Sequence, residues 1–310
     1  MATRLLREEL RRAALGRPSA FTIGTFDGVH RGHQFLIGLL KQRAAARGLA
    51  AGILTLHPHT LTVVRPGTEV TYLTDLDERL ELLAALGPDT VAPVTFTTEV
   101  SQVGAEDFMR LLVDELDLRF LLAGPDFALG RGREGSGERL NQIGAALGVE
   151  VEAAPVESAD GHKLGSSDIR DALSEGNMAR VNDLLGRHFA LRGPIVRGAE
   201  RGRTIGFPTA NLAVAADRAL PAFGVYAACA FVDEGVFAAA VNIGRRPTFD
   251  NGAPTVEANL LDFAGDIYGH ELRLEFVQRL RGEVKFDDVA ALVAQIADDI
   301  AATRALAVCG

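Results

Sequence analysis

Two histidines, His30 and His33, stand three positions apart in the glycine-rich run GTFDGVHRGH at residues 24–33. Residues three apart at the start of a helix lie on the same side, so both imidazoles can face one ligand. Imidazole N–H groups can donate hydrogen bonds to phosphate oxygens as negative charge redistributes during phosphoryl chemistry. The pair therefore indicates a catalytic site that acts on phosphates.

The residues around the two histidines suit the approach of a phosphate. An apolar, strand-like run at 20–25 precedes them, and a helical pattern at 34–47 follows. A strand, a loop and a helix in this order bring backbone N–H groups and the positive end of a helix dipole beside a ligand, and glycines permit close approach. The predicted nucleotide-binding residues of this run are Gly24, Phe26, Asp27 and Gly32.

Other interpretations of this run remain open. Two histidines three apart could be metal ligands, although no third ligand is evident nearby, or they could meet on the surface by coincidence. Asp27 could serve only as a turn residue. The position of the run, directly after the first strand of an α/β pattern, favours the nucleotide site.

A second run, GRTIGFPTAN at residues 202–211, offers a different set of groups. A loop that contains Gly202 and Gly206 can cradle phosphates, and Thr209 and Asn211 carry oxygens that suit a hard cation such as Mg²⁺. The run is not a P-loop, because the Gly-Lys-Ser/Thr sequence is missing. Taken alone, its Gly-Phe-Pro-Thr portion would be interpreted as a plain turn.

The first half of the chain must position the histidines, and its pattern predicts strands that alternate with helices. Such alternation indicates βαβ units and a parallel sheet. Thr74 is the predicted N-cap of the second long helix. The predicted strands span 20–25, 49–56, 90–94, 119–123 and 149–153, and the predicted helices span 34–47, 75–86, 105–115, 138–147, 168–175 and 178–185.

The pattern changes near Gly186, after which short strand-like runs are separated by turn residues. Regularly spaced short strands without helices predict an antiparallel barrel, which one long helix at 287–306 closes. We therefore expect two directly joined domains, residues 1–186 and 187–310. Clear examples of the barrel strands are 224–232, 236–243, 256–261 and 272–280.

The composition is that of an acidic globular protein. Its 310 residues suggest two domains, and 47% of them are hydrophobic, enough for real cores. A net charge of −9 disfavours non-specific binding to nucleic acid. Only three of the 32 basic residues are lysines, so phosphate contacts must come mostly from arginine, histidine, backbone amides or a metal.

Nothing in the sequence predicts secretion or membrane insertion. Charges interrupt the N-terminal segment every few residues, and no apolar run is long enough to span a bilayer. Leu6 and Leu10 there suggest one face of a short surface helix. The two cysteines, Cys229 and Cys309, form no metal or disulfide framework, which predicts a reducing, cytoplasmic location.

The motifs, taken together, resemble the prokaryotic bifunctional riboflavin kinase/FMN adenylyltransferase (FAD synthetase) family over residues 19–300. In the first half the similarity rests on the histidine run, on LTD and ERL at 73–80, on the glycine-rich stretch at 124–132 and on SSDIRDAL at 166–173. In the second half it rests on GFPTAN at 206–211, VNIG and RPTF at 241–249, and VEANLLDF at 256–263 with Tyr268-Gly269 after it.

The resemblance implies a Rossmann-like adenylyltransferase domain that joins FMN to the AMP part of ATP and releases pyrophosphate. His30 and His33 would stabilise the reacting phosphates, with Asp126 and Ser167 among the binding residues. Arg170 would bind phosphates from the far side of the cleft, where a guanidinium can make paired hydrogen bonds. An ordinary surface ion pair is the alternative for this arginine.

For the second half, the resemblance implies a riboflavin kinase barrel. Thr209 and Asn211 would coordinate the Mg²⁺ of Mg-ATP, and Glu257 would be the general base for the riboflavin 5′-hydroxyl. Glu257 could otherwise be an exposed residue on the polar face of a half-buried strand. Phe249, Phe263 and Tyr268 could face a flavin ring, although aromatics in strands are more often core residues.

The whole pattern therefore predicts a bifunctional enzyme that uses riboflavin, FMN and ATP, without a nucleic-acid or membrane partner. One alternative is a riboflavin kinase whose adenylyltransferase half is degraded, because the chain departs from the family pattern at Ala128, Leu129, His57, Thr60 and Asp168. A second alternative is a flavin-binding regulator without enzymatic activity. The intact Thr209, Asn211 and Glu257 set argues against it.

Overall fold

The computed structural model describes residues 2–155, 158–159, 162–163, 165–198, 206–245, 254–306 and 309. By its internal contacts the chain divides into two compact units, Met1–Ser166 and Ser167–Gly310. The helices predicted at 168–185 thus belong mostly to the second unit, whereas the predicted boundary at residue 186 leaves them in the first.

A parallel sheet forms the centre of the first unit, as predicted. Among the described residues, five strands pair in the order β3-β2-β1-β4-β5. The strand order changes direction at β1, so the loops after β1 and β4 leave a crevice between them, where ligands bind in open α/β sheets. The strands are β1 (Ser19–Gly24), β2 (Ala50–His57), β3 (Thr90–Thr95), β4 (Leu118–Ala123) and β5 (Glu150–Ala153).

Helices cover both faces of this sheet. Along β4, Phe120 packs on one side with Ile37, whereas Leu121 packs on the other with Met109, because successive side chains of a strand point to opposite faces. The helices are α1 (Ala2–Ala13), α2 (Arg31–Ala46), α3 (Thr60–Val64), α4 (Leu76–Ala85), α5 (Thr98–Ser101), α6 (Ala105–Leu116) and α7 (Gly137–Ala146), and β6 (Ser158–Ala159) pairs with β7 (His162–Lys163).

One local expectation for the first unit needs correction. The predicted N-cap Thr74 is wrong: Asp75 caps α4 by accepting a hydrogen bond from the Glu78 amide. Thr74 is fully buried, and its hydroxyl accepts a hydrogen bond from the Gly28 amide instead. The N-terminal helix forms as predicted, and its apolar face packs into the core through Leu6 and Leu10, whereas Leu5 is exposed.

The second unit contains the predicted antiparallel barrel. Within the described ranges, six strands close in the order β10-β11-β12-β9-β8-β13, and neighbours run antiparallel. The strands are β8 (Phe189–Val196), β9 (Ala210–Leu212), β10 (Gly224–Val232), β11 (Gly235–Arg245), β12 (Pro254–Leu260) and β13 (Glu271–Arg281). The helices are α8 (Ser166–Glu175), α9 (Met178–Leu185) and the closing helix α10 (Val289–Ala305).

An ion pair fixes the closing helix α10 to the barrel. The Arg281 guanidinium on β13 donates to the Asp299 carboxylate through Nε at 3.0 Å and Nη2 at 2.7 Å. Asp299 is buried, and it also accepts a hydrogen bond from Gln295 one turn earlier. Asp299 is the one buried carboxylate among the described residues of α10. Its hydrogen bonds to Arg281 therefore hold the helix against the barrel.

The prediction that the two cysteines stay unpaired is wrong. Cys229 on β10 forms a disulfide with Cys309, 80 residues further along the chain. Sequence spacing could not reveal this pair, because α10 runs back against β10 and β11 and returns the chain end to the barrel wall. In the described part of the chain, no helix combines the length and the apolar character needed to cross a bilayer.

Candidate active sites

A cavity of about 380 Å³ opens at the carboxyl ends of the sheet strands in the first unit. Its walls come from the residues that follow β1, β4 and β5, at the crevice where the strand order changes direction. Six of the residues predicted to act here line it: Gly24, Phe26, His30, Gly32, His33 and Asp126.

The two histidines meet as a stacked pair on the wall of this cavity. Their ring centroids lie 3.7 Å apart with planes inclined by 23°, and the Phe26 ring packs edge-on against His33 at 5.1 Å. His30 is the N-cap residue of α2, and its side chain makes no capping hydrogen bond. The N-terminus of α2 thus lies at the wall of the cavity, where the positive end of the helix dipole suits an approaching phosphate.

The pKa of His33 is lowered well below its usual range. Burial of the ring is the largest cause, followed by the charges of His30 and then Arg79. The Nδ1 atom of His33 has no hydrogen-bond partner among the described residues. At neutral pH the ring is therefore an uncharged imidazole with one N–H to donate.

A tight turn holds the histidine loop. The Val29 amide donates to the Phe26 carbonyl, and the Gln34 side chain donates to the Val29 carbonyl from the first turn of α2. Phe26 and Val29 have positive φ values of 47° and 41°. Such values are strained for non-glycine residues and persist only where the surroundings impose them, as at binding loops.

Asp27 lies outside the lining of the cavity, and its carboxylate stabilises the histidine loop. Its carboxylate accepts hydrogen bonds from the Leu73 and Thr74 amides at 3.0–3.1 Å. The Arg79 guanidinium approaches the same carboxylate at 3.4 Å, and both side chains are buried. The predicted nucleotide-binding residue Asp27 thus contacts the protein itself, which explains its place in the motif without a ligand contact.

The loop after β4 brings in a residue that the sequence analysis missed. Arg133 lines the cavity, and its guanidinium donates to the Asp126 carbonyl at 2.8 Å. Next to it, Glu134 accepts a hydrogen bond from the Ala105 amide at the start of α6, which fixes the loop. A loop arginine in a Gly-Arg-Gly-Arg stretch is typical of a solvated residue, so the sequence held no clear signal.

Two of the residues predicted for this cavity cannot be related to it, and Gly202, predicted for the second site, cannot be placed. Ser167 and Arg170 lie on α8 in the second unit, so their contacts with phosphate stay predictions. Gly202 lies outside the described residues. Ser166, which was not singled out from the sequence, lines the cavity and donates a hydrogen bond to the Asp27 carbonyl at 2.9 Å.

In the barrel, strand register brings the second set of predicted residues together. Glu257 on β12 pairs directly with Asn211 on β9 and with Asn242 on β11. Directly opposite residues of antiparallel strands point to the same face, so these three side chains share one face of the barrel wall. Glu257 is partly exposed there, whereas its neighbours Val256 and Ala258 are buried on the other face.

Thr209 directly precedes β9, and the cavity that it lines includes Ala258 and Leu260 of β12 but neither Asn211 nor Glu257. This cavity of about 520 Å³ is also lined by Phe263 and Tyr268. The Arg197 guanidinium stacks over the Tyr268 ring at 4.7 Å. The two aromatics therefore line a cavity and do not fill the barrel core; Phe249 lies outside the described residues.

Two family models match the chain. A FAD synthetase model matches residues 13–168, and a riboflavin kinase model matches residues 185–307. A bifunctional riboflavin kinase/FMN adenylyltransferase from Listeria monocytogenes is 37% identical over 285 residues, 91% of this chain and 90% of the relative. The chain belongs to this bifunctional family. It therefore has riboflavin kinase and FMN adenylyltransferase activities and produces FMN and FAD.

Other relatives of this bifunctional enzyme agree in length and fold. The Escherichia coli bifunctional riboflavin kinase/FMN adenylyltransferase is 37% identical over 280 residues, 90% of this chain and 89% of the relative. A solved structure described as a macrolide-efflux protein from Streptococcus pneumoniae matches with a TM-score of 0.87 and 28% identity, over 96% of this chain and 97% of that chain.

Proposed function

We propose that the two activities reside in the two units, with adenylyl transfer in the cavity beside His30 and His33 and phosphoryl transfer at the barrel wall beside Thr209, Asn211 and Glu257. The observation that carries this division is the stacked histidine pair on the wall of a cavity at the carboxyl ends of a parallel sheet. That is the usual position of a nucleotide in an open α/β fold.

In the adenylyl transfer, an oxygen of the FMN phosphate attacks the α-phosphorus of ATP. The bond from that phosphorus to the oxygen bridging to the β-phosphate breaks, and pyrophosphate leaves. Neutral His33 donates its N–H to a phosphate oxygen, and His30 acts beside it. The phosphates bring negative charge to the rings, which raises the pKa of His33, so the substrate itself favours a stronger, charged donor.

In the phosphoryl transfer, the riboflavin 5′-hydroxyl attacks the γ-phosphorus of ATP, and ADP leaves. Glu257 accepts a hydrogen bond from the hydroxyl and so positions the nucleophile. It then takes the hydroxyl proton, so that no positive charge builds up on the attacking oxygen as the new bond forms. A partly exposed carboxylate on a hydrogen-bonded strand can reach a ligand and still keep a fixed position.

The donor groups near Glu257 fit a magnesium ion. Thr209 offers a hydroxyl and Asn211 offers an amide oxygen, and hard oxygen donors are the ligands that Mg²⁺ prefers. When bound with ATP, the metal offsets the charge of the phosphates. Gly206 has a positive φ of 91° and open space where a Cβ would stand, and we assign to it and to Gly202 a role in binding those phosphates.

The remaining assignments complete the adenylyltransferase site. Ser167 and Arg170 bind phosphates there, since α8 presents a hydroxyl and a guanidinium in its first turns. The enzyme works in the cytoplasm, where both steps have access to ATP.

The test follows the flavins by chromatography after the purified chain is incubated with riboflavin and Mg-ATP. Wild type should yield FAD; FMN as the final product would contradict the adenylyltransferase assignment, and unchanged riboflavin would contradict both. E257Q should stop FMN formation but still convert added FMN to FAD, and H33N should do the reverse. The controls are E271Q on an exposed position of β13 and H188N, also exposed.

A further inference from the structure

Arg79 on α4 is fully buried in the first unit, with 0% of its side chain exposed. Arginine is almost never buried to this degree unless its charge is paired. It lies outside the described lining of the cavity, so it reaches no substrate directly. A buried cation behind a phosphate site therefore needs an explanation in terms of what it holds.

The guanidinium of Arg79 is bonded on all sides to the loops behind the cavity. Nη1 donates to the Thr25 carbonyl at 3.0 Å, and Nη2 donates to the Thr74 carbonyl at 3.1 Å. Nη2 also faces the Asp27 carboxylate at 3.4 Å, and Nε faces the Thr74 hydroxyl at 3.4 Å. Planar, fork-shaped donors of this kind fix the orientation of what they bind more strictly than a lysine can.

These contacts connect the histidine loop to α4. Thr25 and Asp27 belong to the turn between β1 and α2, which ends at His30, and His33 lies in the first turn of α2. Thr74 belongs to the segment before α4, and its hydroxyl accepts a hydrogen bond from the Gly28 amide in the same turn. Since the turn has strained backbone angles at Phe26, its shape depends on such external bonds.

The charge of Arg79 also acts on the imidazole pair. It is one of the three causes that lower the pKa of His33, after burial and the charge of His30. The other charged groups near the pair are Asp27, which is engaged by the arginine, and Asp126 and Arg133 on the opposite wall of the cavity. A positive charge behind the His33 ring disfavours its protonation before a phosphate arrives.

We propose that Arg79 is a positioning residue for adenylyl transfer: its guanidinium holds the Thr25 carbonyl and the Asp27 carboxylate so that the stacked imidazoles face the cavity, and its charge acts on them from behind. The inference rests on the proposed location of the adenylyltransferase site. Arg79 contributes to adenylyl transfer in two ways, a geometric one through its hydrogen bonds and an electrostatic one through its charge.

Two substitutions distinguish these contributions. R79K keeps the charge but loses the fork of donors, and R79M keeps most of the volume but loses both. We expect kcat for FAD formation from FMN to fall by about 10-fold to 100-fold in both variants, the size that a small misplacement of reacting groups costs, with a smaller change in the KM for ATP. Riboflavin phosphorylation by the same molecules should keep the wild-type rate.

The electrostatic contribution has a readout that needs no substrate. In an NMR titration, with the His33 ring signal assigned by its loss in H33N, the pKa of His33 should rise in R79M and stay at the wild-type value in R79K. R110M is the matched control, because Arg110 is an exposed arginine on α6 paired only with its helix neighbour Glu106 in the contacts described. It should change neither the titration nor the FAD rate.

Some outcomes would overturn the proposal. A wild-type FAD rate in R79M, or an unchanged His33 titration together with equal loss of both activities, would reduce Arg79 to a general stabiliser. If R79M fails to fold, R79K decides alone: it must lower kcat for FAD formation while kinase activity and the titration stay unchanged. Failure of the proposed location itself looks different, because H33N would then form FAD at the wild-type rate while the titration shift in R79M remained.

Discussion

The two sites of this enzyme are positioned in different ways. In the barrel, Asn211 and Glu257 are neighbours because the hydrogen-bonded ladder between β9 and β12 sets them opposite each other. In the α/β unit, the histidines follow a turn that no ladder fixes, and a buried ion pair of Asp27 and Arg79 holds that turn. A ladder positions side chains at no extra cost in buried charge, whereas a loop needs a dedicated set of polar contacts.

This difference predicts where each site is vulnerable. Changes beside the barrel site should affect the chemistry of the altered group and little else. Changes behind the histidine loop should affect both the stability of the fold and the rate of one reaction, since the same contacts serve both. The following expectations test that contrast, from the largest effect to the smallest.

Loss of the carboxylate in E257Q should have the largest effect on a rate. We expect riboflavin phosphorylation to slow by about 10²-fold to 10⁴-fold, the usual contribution of a general base. Stability should remain as in wild type, because the amide keeps the shape and the strand register. Initial rates with riboflavin, compared with rates of FAD formation from FMN, check this. A kinase rate within a few-fold of E271Q would remove Glu257 from the mechanism.

The H33N substitution should slow adenylyl transfer by about 10²-fold to 10³-fold, as for other preorganised donors to a developing charge. The physical reason is the loss of one N–H donor to the reacting phosphates. The measurement is the rate of pyrophosphate release with FMN and ATP. H188N serves as the comparison, and equal rates in the two variants would show that the ring at position 33 does not take part.

Loss of the buried partner charge in D27N should destabilise the fold by about 3–5 kcal/mol, the typical cost of leaving one member of a buried ion pair alone. Arg79 would remain buried, with only neutral acceptors among its described partners. Urea unfolding of the full chain measures the change. D114N, at an exposed position on α6, is the control, and a D27N midpoint close to it would contradict the role given to the ion pair.

The ion pair of Arg281 and Asp299 in the barrel unit should contribute less to the free energy of unfolding than the pair of Asp27 and Arg79. D299N replaces the charged carboxylate that accepts from Arg281 by a neutral amide with one acceptor oxygen, and we expect a loss of about 1.5–3 kcal/mol, the usual value of hydrogen bonds to charged groups. Arg281 keeps contact with solvent, so water can solvate its charge in D299N, whereas Arg79 would stay fully buried in D27N. The exposed neighbour Asp298 provides the control variant D298N in the same unfolding measurement. A larger loss than in D27N would reverse the contrast between the two units.

The smallest effect concerns pH. The pKa of His33 is lowered in the folded chain, so the ring's contribution to stability is fully present above its unfolded pKa of about 6.5. Below that value the unfolded chain binds a proton that the folded chain does not, and the free energy of unfolding falls by at most about 1.4 kcal/mol per pH unit. Urea unfolding at neutral and mildly acidic pH should show this slope in wild type and a smaller one in H33N.

Much of the fold could be predicted because it depends on local patterns. Strands such as 119–123 and helices such as 105–115 were recognisable from apolar periodicity, and the structure has them within one residue. The motif residues His30 and His33 carried their own signal, since few other contexts place two histidines after a strand and before a helix.

What could not be predicted depends on tertiary contacts. The sequence pattern alone gives Arg79 no role beyond that of a charged residue on an amphipathic helix. The structure shows that it is buried and donates a hydrogen bond to the Thr25 carbonyl. Thr74 looked like an N-cap because the sequence does not reveal that its hydroxyl is needed by Gly28. In the same way, Glu257 lies opposite Asn242 because of the pairing register of β11 and β12. The pattern of a single strand does not specify that register.

The disulfide between Cys229 and Cys309 changes how the molecule would respond to a mechanical load. A pulling force applied at the C-terminal end passes through the bond directly into β10, so the 80-residue stretch between the cysteines carries no tension. On reduction that stretch becomes free to extend, adding about 260–290 Å of contour length at 3.3–3.6 Å per residue. The bond thus divides the barrel into a part that bears force and a part that is shielded from it.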